Sequence, residues 1–105
     1  CHLLAEQDHV GLMLDDAHGI GVFGEQGQGS LAKQNISANN IDIFTATFGK
    51  AIGTSGAFVT GSKQLIEYLV NEARAYIFST SFSPILAEVT RQAIIKRYLK
   101  TIATC

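Results

Sequence analysis

Short apolar segments, separated by glycine-rich and polar stretches, run along the first sixty residues of the chain. Val10 to Leu14 is apolar and uncharged, as in strands buried on both faces of a parallel sheet. Ile41 to Thr47 is rich in β-branched and aromatic residues, which favour a strand. Ala57 to Thr60 is a third short apolar segment between two glycines. The pattern therefore predicts three strands.

The second half of the chain changes to helical spacing. Ser62 can cap a helix that runs to about Ala73. Ser83 and Pro84 then suit the start of another helix, which ends near the basic pair Lys96-Arg97. Strands that alternate with helices and glycine turns predict an α/β layer architecture.

The segments between these elements are predicted more loosely. Five glycines between Gly19 and Ser30 indicate a loop whose backbone needs unusual dihedral angles or a close approach. Residues 33–40 are expected to be irregular, and 48–56 form a second glycine-bearing turn. Residues 76–78 are expected to be extended, and residues 3–7 are expected to close a helix.

Composition narrows the class of protein. The 105 residues are 47% hydrophobic and 16% charged, which suits one small folded domain and argues against disorder. The net charge of −1 removes the electrostatic case for a nucleic-acid or membrane partner. The two cysteines form neither a disulfide framework nor a CxxC zinc pattern. Without a secretory signal or an apolar stretch of ~20 residues, a cytoplasmic protein is predicted.

Lys50 is the most informative single residue, because it is the only charged residue between Ile43 and Ser62. It follows a predicted strand, among glycines. Apolar surroundings would lower the pKa of its amine and make it a nucleophile suited to Schiff-base chemistry. The alternative is a lysine that reaches the solvent from a strand end.

A second candidate is Asp15-Asp16-Ala17-His18, which follows the first predicted strand. Two carboxylates and an imidazole could perform acid–base chemistry or bind a metal, but a metal needs further ligands, and the spacing of His2 and His9 matches no known ligand pattern. The alternative is a loop terminus in which the aspartates cap backbone amides.

Two further motifs carry weaker signals. Gly19 to Gly24 matches GxGxxG, but Glu25 to Gly29 continues the loop where a dinucleotide site needs a helix. The hydroxyl cluster from Ser79 to Ser83 could hold a phosphate or cap the helix at Pro84. Thr47 is a similar hydroxyl at a strand end near Lys50.

In combination, these motifs resemble the α-oxoamine synthases, which use pyridoxal 5'-phosphate (PLP) and have the aspartate-aminotransferase type of fold (fold type I). The resemblance rests on the order and spacing of three segments, DDAHGIGVFG (15–24), TFGKAIG (47–53) and YIFSTS (76–81). It implies that residues 1–105 are part of a large PLP-binding domain, a mixed, mostly parallel sheet flanked by helices. The ring-stacking histidine and carboxylate-binding arginine of the family have no counterpart here, so the chain alone is expected to be inactive.

The resemblance also implies a role for each matching residue. Lys50 would bind PLP as a Schiff base and act as the catalytic base, and Asp15 would pair with the pyridine nitrogen. His18 would hydrogen-bond the phenolic oxygen, which requires the chain to turn already at Asp16. Thr47 would bind the phosphate, and the hydroxyls of Ser79 and Thr80 would reach the phosphate of a neighbouring subunit in a homodimer.

The ungapped segment GTSGAFV (53–59) is most similar to the family members that condense L-alanine with pimeloyl-CoA or pimeloyl-carrier protein in biotin biosynthesis. The implied reaction is a decarboxylative acyl transfer. Three alternative functions stay open for the chain. It could have another α-oxoamine synthase activity such as glycine C-acetyltransferase, be an inactive fragment, or be a nucleotide-binding module.

Overall fold

A three-stranded sheet forms the centre of the computed structural model, which describes residues 10–102, with side chains as far as Lys96. The strands are β1 (Met13–Asp15), β2 (Ile43–Thr47) and β3 (Ala57–Gly61), in the order β1-β2-β3. β1 is parallel to β2, whereas β3 is antiparallel to it. The three predicted strands are confirmed, and the predicted helix end at residues 3–7 lies outside the described residues.

The strand β1 begins later than the apolar pattern predicts. The hydrophobic run starts at Val10, but the ladder with β2 starts at Met13. Before that point, the carboxylate of Asp42 accepts a hydrogen bond from the Leu12 amide at 2.7 Å. This side-chain contact replaces a ladder bond, so the apolar run extends beyond the strand.

The helices are α1 (Ser30–Gln34), α2 (Lys63–Glu72), α3 (Arg74–Ile77) and α4 (Pro84–Ile102), with a 3-10 turn at Ala38–Asn40. Two predictions were therefore wrong. The stretch 33–40 is not irregular throughout, since it holds the end of α1 and the 3-10 turn, which the Ser37 hydroxyl caps by accepting from the Asn39 amide.

The expected extended piece at 76–78 is the second error, because Tyr76 and Ile77 belong to α3. Their amides both donate to the Ala73 carbonyl, at 2.9 and 3.0 Å, which closes one helical turn directly after α2. The aromatic and β-branched residues that favour a strand therefore sit in a helical turn, where local backbone bonding decides.

Both predicted long helices are confirmed. The Ser62 hydroxyl accepts from the Leu65 amide at 3.2 Å and caps α2, which ends one residue before the predicted Ala73. α4 begins at Pro84 as predicted, but continues past Lys96 to Ile102. Lysine and arginine are good helix formers, so a basic pair by itself does not end a helix.

The two faces of the sheet differ in chemistry. Phe58 contacts Phe44 and Phe48 on one face, with ring centroids 6.1 and 5.1 Å apart. The opposite face carries Asp15 and Thr47 at the carboxyl ends of the parallel strands β1 and β2.

Among the described residues, no helix is long and apolar enough to cross a membrane.

Candidate active site

The candidate site lies where β1 and β2 end side by side. Asp15 is the last residue of β1 and Thr47 the last of β2, and both line a cavity of about 430 Å³ on one sheet face. The rest of the lining is contributed by Ala17, Thr45, Ala46, Ala57, Phe58 and Val59. Parallel pairing of β1 with β2 brings these two predicted residues to one edge of the sheet.

Lys50 and His18 meet at this edge. Lys50 belongs to the turn after β2, and His18 to the turn after β1. The Lys50 Nζ lies 2.8 Å from the His18 Nε2. At this distance the amine and the imidazole form a hydrogen bond, in which the tautomer of His18 decides which nitrogen donates.

The expectation that apolar surroundings bury Lys50 was wrong for the residues that the structure describes. The Lys50 side chain is exposed. The turn that carries it contains three glycines, and the space beside Gly53 is open. The alternative interpretation, a lysine that reaches the solvent, matches this exposure, and the amine in addition contacts His18.

Backbone hydrogen bonds hold the Lys50 turn, residues 48–56, in shape. Phe48 and Gly56 close it through an amide–carbonyl bond of 2.9 Å. Within it, the Gly53 amide donates to the Lys50 carbonyl at 2.9 Å. The Thr47 hydroxyl donates to the Gly56 carbonyl at 3.0 Å and accepts from the Gly49 amide at 3.2 Å. Thr47 therefore anchors the turn.

The adjacent carboxylates of Asp15 and Asp16 have different surroundings. Asp15 is exposed beside the cavity, and its Oδ1 accepts from the Ala17 amide at 2.9 Å. Asp16 is only 3% exposed and accepts hydrogen bonds from both the amide and the hydroxyl of Ser30. The interpretation as a capped loop terminus suits Asp16, whereas Asp15 remains a candidate for ligand binding.

The chain turns at Asp16, as the family pattern requires. The amides of Gly19 and Ile20 both donate to the Asp16 carbonyl, at 3.0 and 3.1 Å. This turn brings His18 back over the end of the sheet instead of letting it continue along β1. Asp15 and His18 consequently lie at the same end of the sheet.

The glycine loop does not form a dinucleotide fingerprint. Residues 17–27 form consecutive turns, and α1 begins only at Ser30, outside the GxGxxG match. A Cβ at Gly19 or Gly29 would overlap the Asp16 carboxylate. These two glycines are explained by close packing on a buried aspartate, which the sequence pattern alone did not indicate.

The hydroxyl cluster faces a different cavity, of about 800 Å³. Ser79, Thr80 and Ser81 line it, together with Phe48 and Gly56 from the two ends of the Lys50 turn. Ser79 donates to the Tyr76 carbonyl at 3.3 Å. The structure thus places these hydroxyls beside the Lys50 turn and brings none of them into the cavity that Asp15 lines.

The described part of the chain holds no cluster of side chains that could bind a metal ion. No group of three or more histidine, cysteine, aspartate or glutamate side chains comes together within residues 10–102. His2 and His9, the further ligands considered from the sequence, lie outside the described residues.

The family model for aminotransferase class I and II matches residues 1–104. The chain belongs to this family. Eight curated relatives, 44 to 53% identical, are all named 8-amino-7-oxononanoate synthase. The relative from Methylococcus capsulatus is 44% identical over 87% of this chain and 24% of its own length.

Solved structures of family members have the same fold. The 8-amino-7-oxononanoate synthase of Francisella tularensis superposes with a TM-score of 0.72 at 34% identity, over 82% of this chain and 26% of its own. A serine palmitoyltransferase from S. paucimobilis with a bound PLP–myriocin aldimine gives 0.74 at 30% identity, over 85% and 22%. The resemblance and the α/β fold class inferred from the sequence are confirmed. The chain spans about a quarter of the length of the relatives it matches.

Proposed function

We propose that residues 1–105 are part of the large PLP-binding domain of an enzyme that condenses L-alanine with a pimeloyl thioester, on CoA or on a carrier protein. The product would be 8-amino-7-oxononanoate, an intermediate of biotin biosynthesis. The observation that carries the proposal is the 2.8 Å contact of Lys50 with His18 at the carboxyl ends of β1 and β2. It occurs in a chain whose curated relatives carry that enzyme's name.

The chemistry of the side chains at this edge fits PLP. Lys50 offers an accessible amine for the aldehyde group. Asp15 offers a carboxylate beside the cavity, and its Oδ2 has no hydrogen-bond partner among the described residues, so it can pair with a pyridine N–H. His18 supplies a nitrogen donor next to the amine. When bound, PLP would supply an electron sink for negative charge at the substrate Cα.

The phosphate contact proposed for Thr47 requires a change of partner. Its hydroxyl already donates to the Gly56 carbonyl, so it reaches a phosphate only by turning away from that oxygen. Its position at the end of β2 beside the cavity supports the proposal.

In the proposed reaction, Lys50 has a second task once substrate has replaced it. Its free amine accepts the proton from the alanine Cα, and His18 at 2.8 Å hydrogen-bonds the amine and orients it. A bond then forms between the alanine Cα and the acyl carbonyl carbon, and the thioester C–S bond breaks. The thiol leaves with one proton, the alanine carboxylate leaves as CO₂, and a proton returns to Cα.

We infer a cytoplasmic homodimer in which Ser79 and Thr80 contact the phosphate bound by the other subunit. Both hydroxyls are on an exposed segment, so they are accessible to a second chain. Phe78 and Ile85 nearby are each 76% exposed, which gives this region the apolar surface that subunit interfaces bury.

Reductive trapping tests the proposal. The protein at its natural length is incubated with PLP and reduced with borohydride, and the adduct is mapped by peptide mass spectrometry. We expect the adduct on Lys50, and its loss together with turnover in Lys50→Ala. Lys63→Ala is the matched control, because this lysine is exposed and pairs with Glu67 on the same helix, α2. An adduct elsewhere, or turnover by Lys50→Ala, would refute the assignment.

Substrate choice is tested by measuring thiol release from three pairs of substrates. L-Alanine with pimeloyl-CoA should give the highest kcat/KM. Faster turnover of glycine with acetyl-CoA would indicate a glycine C-acetyltransferase. Faster turnover of L-serine with palmitoyl-CoA would indicate the activity for which the serine palmitoyltransferases are named.

A further inference from the structure

We propose that Thr54 and Thr90 are positioning residues that tie the Lys50 turn to helix α4 and so hold the Lys50 amine beside His18. The inference rests on the proposed function, since it assigns these hydroxyls to the geometry of the Schiff-base lysine. Thr90 lies outside the segments that carry the family resemblance, and Thr54 belongs to GTSGAFV (53–59), to which the resemblance assigns no role.

Thr90 is an unusual residue for its position. It lies on α4 near the apolar residues Leu86, Val89 and Ala93. Although its side chain is polar, it is only 5% exposed. Its hydroxyl donates to the Leu86 carbonyl one turn earlier, at 2.7 Å. This bond fixes the rotamer, and with it the direction in which the hydroxyl oxygen faces the Lys50 turn.

Thr54 is the partner of Thr90 across the fold. The two hydroxyl oxygens lie 2.9 Å apart, although 36 residues separate them in the chain. The Thr54 hydroxyl is also 3.5 Å from the Phe48 carbonyl, and the Thr54 amide donates to that same carbonyl at 3.0 Å. Thr54 therefore connects α4 with the start of the Lys50 turn.

The Lys50 turn also contacts the rest of the fold through the Phe48 ring, 5.1 Å from that of Phe58, and through the Lys50 amine at His18. It holds its own shape through backbone bonds, but its glycines contribute no side chains, and the space beside Gly53 is open. An exposed lysine on such a turn could place its amine at many points. A half-buried hydroxyl pair is directional, so it fixes the turn relative to a long helix.

The test uses the PLP-loaded protein at its natural length. Thr54→Val and Thr90→Val remove one hydroxyl each at nearly constant volume, and turnover is expressed per mole of PLP trapped on Lys50. We expect kcat to fall about fivefold in either variant, as for the loss of one hydrogen bond, with an unchanged KM for L-alanine. Because both variants break the same contact, the double variant should be no slower than either single one.

Two further variants separate positioning from folding. Thr90→Ser keeps the hydroxyl and should restore kcat to within about twofold of the unmodified protein. Thr60→Val is the control, since this exposed threonine on β3 has no side-chain hydrogen bond among the described residues, and it should leave kcat unchanged. If Thr90→Val does not fold, Thr54→Val, at a half-buried turn position, decides alone.

Three results would overturn the inference: unchanged kcat in both valine variants, multiplicative losses in the double variant, or no recovery in Thr90→Ser. A lower melting temperature and a lower PLP content of the valine variants, with an unchanged kcat per bound PLP, would also overturn it. Such a result would indicate a purely structural role. A trapped adduct on Lys50 in the unmodified protein keeps the proposed function intact in all of these cases. An unmodified protein without that adduct would overturn both proposals.

Discussion

At the scale of single residues, the contrast between Asp15 and Asp16 shows how one step along a strand changes the chemistry of a carboxylate. Asp15 ends β1 and Asp16 begins the turn that follows, so the two side chains have different surroundings. Asp16 enters the interior, where its carboxylate accepts hydrogen bonds from the amide and the hydroxyl of Ser30, whereas Asp15 stays beside the cavity. A buried carboxylate that accepts two hydrogen bonds is suited to holding a loop. An exposed carboxylate with one oxygen free of protein hydrogen bonds is suited to binding a ligand.

This contrast predicts the effect of Asp15→Asn on activity. The amide has the shape of the carboxylate but no charge, so it cannot keep a pyridine nitrogen protonated. We expect PLP to be trapped on Lys50 as before, with kcat lower by on the order of 10²-fold. Single-turnover kinetics with L-alanine would measure this effect.

The control is Asp42→Asn, because the carboxylate of Asp42 binds the Leu12 amide at the opposite end of the sheet. It should change kcat less than twofold, roughly the effect of a substitution far from the reacting atoms. Equal losses in the two variants would show that Asp15 acts through the fold and not through the cofactor.

At the scale of elements, the chemistry sits in the turns that follow β1 and β2, not in the strands. The positions of both turns could be predicted from the sequence, because apolar runs end there and glycines follow. The Ser62 cap was predictable for the same reason, since its signal is local. The helix α3 was not, because its residues favour a strand and only the amide bonds to Ala73 decide its form.

The Lys50 turn allows a test with two matched glycine substitutions. Both Gly53 and Gly56 have positive φ angles, of 76° and 94°, which an alanine adopts at a cost of about 1–2 kcal/mol. Only at Gly56 would the added Cβ also meet a neighbour, the Phe82 ring at 2.9 Å. We therefore expect Gly56→Ala to lower the free energy of unfolding by about 1 kcal/mol more than Gly53→Ala in urea titrations.

The source of that difference can be isolated with Phe82→Leu, which removes the ring that the Cβ meets. In this background the two alanine variants should have equal effects on stability. A difference that persists in Phe82→Leu would mean that the backbone at Gly56, not the contact with Phe82, is responsible.

At the scale of the whole molecule, the described chain has little interior. Ala46, at 3% exposure, is the single buried hydrophobic residue among the described side chains. The radius of gyration is 15.4 Å, against about 13 Å for a compact domain of 100 residues. This openness explains why the exposure of Lys50 could not be derived from the sequence, since exposure depends on contacts between distant segments.

The sparse interior predicts how residues 1–105 behave when they are produced alone. Large apolar side chains such as Phe78, Ile85 and Met13, which is 61% exposed, would remain in water. We expect this chain to bind an apolar dye such as ANS and to unfold over a broad range of urea, whereas the protein at its natural length unfolds in a sharp transition. Circular dichroism and dye fluorescence across the same titration measure both properties. A monomeric, cooperatively unfolding chain that does not bind the dye would contradict the proposal that these residues are part of a larger domain, because its apolar surface would then already be buried.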